Sequence, residues 1–363
     1  LKLAEIAWKN LTFCTILFRA RHSEGSMTNI INHQIRLAGR PVGLPKLSDW
    51  DFTEAQMPDL QDGQVLVKIY YISVDPAMRA WMNDQDSYVP ALKLGAVMRA
   101  LTVGKVIASK NPAFSAGDFV AGMDGVQEYA ISDGSLLMKA DTSLAPLPAY
   151  LNSLGIAGLT AYCGLIEVGA PKLGETVVVS GAAGSVGAHV GQIAKIKGCR
   201  AVGIAGGAKK CAFLVDELGF DAAIDYKNEP LDAGLARTCP DGIDVFFDNV
   251  GGETLDAALA RINFHARVVI CGAISQYNNT TAIEGPSNYL SLLIRSARLE
   301  GFIYLNWRDQ WPAMIAELAK WHGQGNLNCP DDIVEGGLKA FPDALLRLFS
   351  GDNFGKLMIK MAD

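Results

Sequence analysis

The sequence is poor in residues that bind metals: five histidines lie scattered over 363 positions, and the seven cysteines include no C-x-x-C pair. No Gly-His-Glu ligand set occurs in the N-terminal third, so a catalytic zinc is not expected. An odd cysteine count without regular spacing also argues against a secreted disulfide framework. Positive charge is not in excess. The 32 Lys and Arg stand against 38 Asp and Glu, a formal net charge of -6, which speaks against a nucleic-acid footprint. No apolar run is long enough to span a bilayer. A nucleophile elbow and a Ser-Lys pair at useful spacing are both missing, which leaves hydrolysis without machinery. What remains is the profile of a soluble cytoplasmic protein, half of it hydrophobic and long enough for two domains.

Against these absences stands one dense stretch, Thr176 to Gly198, TVVVSGAAGSVGAHVGQIAKIKG. Thr176 to Val179 is a short uncharged run, as expected of a strand buried on both faces. Gly181-Ala-Ala-Gly184-Ser-Val-Gly187 follows, then a helical pattern carrying Val186, Val190, Ile193 and Ala194 to one side. Strand, glycine turn and helix in this order make a phosphate-binding crossover. The glycines let the backbone approach a pyrophosphate, and free N–H groups at the helix start meet its charge.

The rest of the chain sorts around that crossover. Leu1 to Ser26 reads as an extension, appended or translated from upstream, because Met27-Thr-Asn begins like a natural N-terminus. The run Leu11 to Phe18 is short and lacks the small-residue cleavage site of a secretory signal. Strands are expected at Gln64 to Val74, Val103 to Ala108, near Val120, at Gln127 to Ile131 and at Leu136 to Lys139. This Gly-rich region reads as a small all-β barrel. Pro76 biases Asp75 out of the α region and ends the first of these strands.

From about Leu151 the pattern changes. A helix is expected from Gly158 to about Val168. After the crossover come strands at Arg200 to Ile204, Ala222 to Asp225, Asp244 to Asp248, Arg267 to Gly272 and Leu299 to Tyr304, with helices at Lys209 to Gly219 and Gly252 to Leu259. This α/β alternation predicts a parallel doubly wound sheet. Trp311 to Trp321 reads as an amphipathic helix, and Gly355 to Lys360 as a strand returning to the barrel.

Cofactor choice turns on the end of the second strand. An NAD site places a carboxylate there for the ribose 2′-OH. Here the residues are Gly203-Ile-Ala-Gly206-Gly207-Ala-Lys209-Lys210, with no acid and two lysines. An ammonium holds a 2′-phosphate that an acid would repel, so NADPH is expected, with Lys210 as the holder and Lys209 as a solvated helix end. Tyr226 reads either as closing over the adenosine or as a core tyrosine.

Two loops at carboxyl ends of strands can reach a reacting centre: Asp248-Asn249-Val250-Gly251-Gly252 and Cys271-Gly-Ala-Ile-Ser275-Gln-Tyr277-Asn278. Asn249 can orient cofactor groups through its two-sided amide, or be a turn residue. Tyr277 is the best acid in reach, since a phenol stays protonated at neutral pH and donates to a developing enolate oxygen. Its bland alternative is loop packing.

Taken together, six motifs resemble the zinc-free medium-chain dehydrogenase/reductase superfamily. They are Asp75-Pro-x-Met78-Arg79, the glycine turn, Gly206-Gly-Ala-Lys-Lys210, Phe247-Asp-Asn249-Val-Gly-Gly252, the Cys271 to Asn278 loop and Gly351-Asp-Asn353-Phe-Gly355-Lys356. Within it the likeness is to the leukotriene B4 dehydrogenase/prostaglandin reductase family, and it covers about Ile30 to Lys360. The resemblance implies a GroES-like β-barrel domain from residues 27–148 and 332–363, with a Rossmann domain, 149–331, inserted between. It implies NADPH-dependent reduction of the C=C bond of small hydrophobic enones and enals, usually by a homodimer.

By the same likeness, Ala183, Gly184, Ser185 and Val186 match the pyrophosphate loop. Lys210 and Tyr226 match the 2′-phosphate site, and Asn249 and Asn353 cofactor contacts. Cys271, Gly272, Ala273, Ile274, Ser275 and Tyr277, with Phe302, Ile303 and Tyr304, match the nicotinamide side, and Tyr277 also matches the substrate-facing tyrosine. Ala77 stands where an aromatic is common, Ala80-Trp81-Met82 where Gly-Arg-Met is common, and Ala157 where Pro is frequent. The first two departures bear on substrate size and preference. The alternatives are a quinone reductase of the same superfamily and, from another class, a non-catalytic nucleotide-binding redox sensor.

Overall fold

A computed structural model describes residues 30–85 and 87–361, and the extension expected at residues 1–26 lies outside them. The described chain opens on β1 (Ile31–Leu37), antiparallel to β2 (Trp50–Gln56). Then come β3 (Val65–Ser73), α1 (Ala77–Trp81), β4 (Thr102–Ser109), β5 (Phe119–Gly122), β6 (Tyr129–Ser132) and β7 (Met138–Lys139). On β3 the side chains alternate between two cores. Val65 and Val67 meet Val106 and Val120, while Leu66 points the other way onto Met57 and Leu60.

The second region starts with α2 (Ile156–Tyr162), which runs into a π-helical turn, Cys163–Gly169. It continues as β8 (Thr176–Ser180), α3 (Ser185–Ile196), β9 (Arg200–Ala205), α4 (Ala208–Asp216), β10 (Ala222–Asp225), α5 (Leu231–Thr238), β11 (Ile243–Asp248), α6 (Gly252–Leu259), β12 (Ile262–Ile270), α7 (Leu290–Ile294), β13 (Arg298–Gly301) and α8 (Trp311–Gly323). The strands form a parallel six-stranded sheet in the order β10-β9-β8-β11-β12-β13. Every residue of β8 is buried, as its uncharged sequence requires. The chain winds one way from β8 and the other way from β11, so a crevice opens at their carboxyl ends, where such sheets bind ligands.

The tail gives β14 (Asp331–Val334), α9 (Phe341–Ser350) and β15 (Lys356–Lys360). β15 pairs with β14 and, antiparallel, with β3, so the chain's end returns to its first half and completes a seven-stranded sheet. The molecule is thus a GroES-like sheet domain joined to a Rossmann-type α/β domain. No helix among the described residues is long and apolar enough to cross a membrane.

Several boundaries differ from expectation for local reasons. The helix expected to run to Val168 widens into a π turn, in which Gly164 lies beneath two rings. A Cβ there would stand 2.4 Å from Phe302 and 2.6 Å from Phe247. β12 starts at Ile262, ahead of Arg267, and ends at Ile270, because the N–H groups of Cys271 and Gly272 turn to the carbonyl of Asp248. β13, the last strand of the parallel sheet, stops at Gly301 instead of Tyr304. Phe302 leaves the sheet to pack edge-on against Phe247 and Trp307, and Tyr304 opens a 3-10 turn.

Candidate active site

A cleft of about 1220 Å³ is lined by residues of both domains. Its Rossmann wall begins where β8 ends. Gly181 takes a positive φ of 59° to turn the chain. A Cβ on Gly187 would lie 2.4 Å from the Gly181 carbonyl, so only glycine allows α3 to start this close to the strand. Ser185 and Val186 open α3, and their N–H groups, like those of any first helical turn, have no intrahelical acceptor. The barrel seals the back of this turn, where Gly355 N donates to the Ala183 carbonyl at 2.9 Å. Ser185 Oγ donates to Asn152 Oδ1 at 3.2 Å. Behind it His189 is fully buried, its ring between the Ser185 carbonyl at 2.6 Å and Ser153 Oγ at 2.9 Å. Burial pulls its pKa down to about 4.

At the end of β9, Gly206 and Gly207 lead into α4 and Lys210 faces the cleft. Lys210 Nζ donates to the Gly351 carbonyl at 2.7 Å and lies 5.1 Å from the Phe354 ring centre. Burial first, and the nearby Lys227 charge second, lower its pKa. Tyr226 also lines this end and is half exposed, so the core alternative does not hold. Asp225, at the end of β10, is turned into its own loop, where Oδ1 accepts from Gly207 N at 2.7 Å. One ammonium, Lys210, and one phenol, Tyr226, therefore line the space beyond β9, groups that suit a 2′-phosphate.

The other end of the cleft is hung from β11. Asp248 is completely buried, and its carboxylate accepts from Ser180 Oγ at 2.7 Å, Val250 N at 3.0 Å and Gly251 N at 3.0 Å. Asn249 is tied to the end of β8, its Nδ2 donating to the Ser180 carbonyl at 2.7 Å. The loop from Cys271 to Tyr277 is pinned onto this one. Ile274 N donates to the Asn249 carbonyl at 3.1 Å, and Ser275 Oγ donates to the Val250 carbonyl at 2.6 Å. Tyr277 Oη accepts from Ala273 N at 3.2 Å, so its own hydrogen is free for a ligand. Burial pushes this phenol above its ordinary value, and burial with the Asp248 charge pushes the Cys271 thiol to about 12, so both stay protonated.

Phe302, Ile303 and Tyr304 close this side, with Tyr304 stacked on Trp311 at 5.2 Å. The barrel adds Val74, Asp75, Pro76, Ala77, Ala80 and Tyr88. Asp75 forms a buried ion pair with Lys356 of β15 and accepts from Ser73 Oγ. Asn353 lines the cleft beside them, its Nδ2 3.3 Å from the Gly355 carbonyl.

Of the residues expected from sequence, Ala183, Gly184, Ser185, Val186, Lys210, Tyr226, Asn249, Cys271, Gly272, Ile274, Ser275, Tyr277, Phe302, Ile303, Tyr304 and Asn353 all line the one cleft. Ala273 does not. Its N–H turns to Tyr277 and its methyl sits behind the wall against Gly251. Arg79 of the Asp-Pro motif is also not a cleft residue. It is buried and clamps the carbonyls of Pro41 and Gly43 at 3.0 Å. Sequence reading missed Tyr88, whose oxygen accepts from Trp81 Nε1 at 3.0 Å, and Lys356, whose partner lies 281 positions away. Tyr88 carries no local signature. Lys356 stands in a recognised motif, but only the fold shows its partner.

The two-domain plan, the glycine turn at the switch point and the return of the C-terminal strand to the barrel define a dehydrogenase/reductase of the medium-chain type. Comparison with known proteins narrows this. Residues 33–140 match the family model described as the N-terminal domain of oxidoreductase, and residues 185–320 match that of zinc-binding dehydrogenase. The NADPH-dependent curcumin reductase of Escherichia coli is 39% identical over 336 residues, 91% of this chain and 97% of that protein. The 2-alkenal reductase (NADP(+)-dependent) of Nicotiana tabacum is 39% identical over 340 residues, 92% of this chain and 98% of its own. The crystal structure of CurA in complex with NADPH from Vibrio vulnificus superposes with a TM-score of 0.86 at 40% identity, covering 91% of this chain and 99% of that one. The chain belongs to the zinc-free medium-chain dehydrogenase/reductase family. Among the described residues, no group of three or more His, Cys, Asp and Glu is placed to hold a metal ion.

Proposed function

We propose that the protein uses NADPH to reduce the C=C bond of small hydrophobic α,β-unsaturated ketones and aldehydes, and that Tyr277 assists at the carbonyl oxygen. The residues fit the cofactor. The glycine turn leaves helix-start N–H groups for the pyrophosphate, Lys210 and Tyr226 suit the 2′-phosphate, and Asn249, Asn353 and the Cys271 to Tyr277 loop would flank the nicotinamide. When bound, NADPH supplies the hydride that the β-carbon accepts.

The observation that carries the reading is the Tyr277 hydroxyl. Its oxygen already accepts from Ala273 N, the loop is pinned to β11, and the hydrogen is left to donate into the cleft. A phenol kept neutral by burial donates more strongly as charge builds on a carbonyl oxygen, which lowers the barrier of the step that creates that charge. Tyr88 offers a second hydroxyl from the barrel side, since its oxygen is also occupied as an acceptor. The α-carbon is then protonated, most simply by solvent. Ala77 and Ala80 add only methyl groups to the barrel side of the cleft and leave room there for the substrate. Steady-state NADPH consumption over a panel of enones, enals and quinones tests the reading. Turnover of quinones with none of the enones would sink it in favour of a quinone reductase.

We further propose a homodimer formed across β13, the exposed edge of the Rossmann sheet. Antiparallel self-pairing about Leu299 would set Arg298 against the partner subunit's Glu300, and α7 beside it leaves Leu290, Leu293 and Ile294 exposed. Light scattering reads the mass directly, and a single-chain mass at micromolar concentration would overturn the proposal.

A further inference from the structure

Tyr88 lines the cleft from a long excursion between α1 and β4, whose described residues are tied down at several points. Arg40 Nη1 donates to the carbonyls of Met82 at 2.8 Å and Leu92 at 2.7 Å. Leu92 N donates to the Trp81 carbonyl at 3.2 Å, and Arg99 Nη2 holds the Pro90 carbonyl at 3.1 Å. Trp81 sits at the centre, 4% exposed, with the Arg99 guanidinium 5.6 Å from its ring centre. A buried indole N–H requires an acceptor, and it finds one in Tyr88 Oη at 3.0 Å. Tryptophan stands here where the family resemblance leads one to expect arginine.

We propose that Trp81 is a positioning residue: its indole N–H takes the Tyr88 oxygen as acceptor and thereby turns the single Tyr88 hydrogen toward the ligand in the cleft. A phenol has one hydrogen and two acceptor positions, so filling one acceptor position from a fixed donor removes a hydroxyl orientation. This arrangement mirrors Tyr277, whose oxygen is held by Ala273 N. The two hydroxyls face the same space from opposite domains, and the inference rests on the enone-reductase reading only for what that space contains. The groups that act on the Tyr88 hydroxyl are Asp75 and Arg99 from the barrel and Cys271, Tyr277 and Tyr304 from the Rossmann side. Burial raises the Tyr88 pKa and the Trp81 hydrogen bond opposes that rise.

The test is a double-mutant cycle of Trp81→Phe and Tyr88→Phe with two readouts. Trp81→Phe keeps a ring under Arg99 and removes the N–H, and Trp81→Leu serves the same purpose if the Phe variant does not accumulate folded. On a good enone, Trp81→Phe should lower kcat about threefold to tenfold, the range of one net hydrogen bond, and should have no effect in the Tyr88→Phe background. An equal loss in both backgrounds would overturn the proposal and leave Trp81 as packing. The second readout is ultraviolet titration of tyrosinate in the protein without substrate, where the step lost in Tyr88→Phe should move to higher pH in Trp81→Phe. Should the wild type reduce no enone, the enone reading falls, and the titration still decides the pairing: an unmoved Tyr88 step overturns it.

Discussion

At the end of the cleft proposed for the pyrophosphate, the groups on offer belong to one stretch of backbone, Gly181 to Gly187. At the other end they are side chains from four separate segments, around Asp75, Tyr88, Tyr277 and Lys356. The first end depends on what is absent, a Cβ at Gly187 above all, and is sealed by main-chain bonds such as Gly355 N to the Ala183 carbonyl. The second depends on single polar atoms, each held by one or two neighbours. Backbone sites tolerate changes in side-chain chemistry and fail when volume is added, whereas assembled sites fail when one functional group is removed.

The largest effect is expected where the assembled end is most buried. Lys356→Met strands the Asp75 carboxylate in a site whose lysine is 2% exposed, and should cost roughly 3–5 kcal/mol of stability. Chemical denaturation measures it, and an unchanged midpoint would mean that the pair is dispensable to the return of β15.

The backbone end is probed by pH. His189 lies on the buried face of α3 with its pKa pulled down to about 4, so the unfolded chain binds a proton that the folded one refuses between about pH 6.5 and 4. Stability from this group is complete above pH 6.5 and declines as pH falls, by about 3 kcal/mol at pH 4. A His189→Gln variant should lack that decline, and parallel curves for the two proteins would contradict the assignment.

Tyr277→Phe should lower kcat for an enone about tenfold to a hundredfold, with KM and NADPH affinity nearly unchanged. A KM effect larger than the kcat effect would make Tyr277 a ground-state contact. Lys210→Ala should weaken NADPH by about tenfold, near 1.4 kcal/mol, with Lys227 close enough to supply part of the lost charge. NADH affinity should hardly change, and equal losses for both cofactors would remove the 2′-phosphate role.

The same contrast explains what was legible in the sequence. Thr176 to Gly187 could be read in one pass because strand, turn and helix are consecutive, and the uncharged run of β8 states that it is buried. The missing carboxylate after Ile204 was equally local. Trp81 and Tyr88 were not, since the bond between them depends on a loop folded by Arg40 and Arg99. Lys356 was in view only as part of a motif, because its partner comes from the other end of the chain. α9 went unread although Phe341, Ala344, Leu345 and Leu348 keep helical spacing, with Pro342 in its first turn and Gly351 as cap. β12 begins ahead of the expected Arg267 because Ile262 to Ala266 reads as a mixed surface stretch, with His265 at a positive φ of 61°.

The most direct measurement follows a label. An enone such as 4-phenylbut-3-en-2-one, incubated with the enzyme and NADPH carrying deuterium at its reactive carbon, should give the saturated ketone with deuterium at the β-carbon, read by NMR. An allylic alcohol with deuterium at the former carbonyl carbon would contradict the account, because the hydroxyls facing the cleft would then serve a carbonyl reductase.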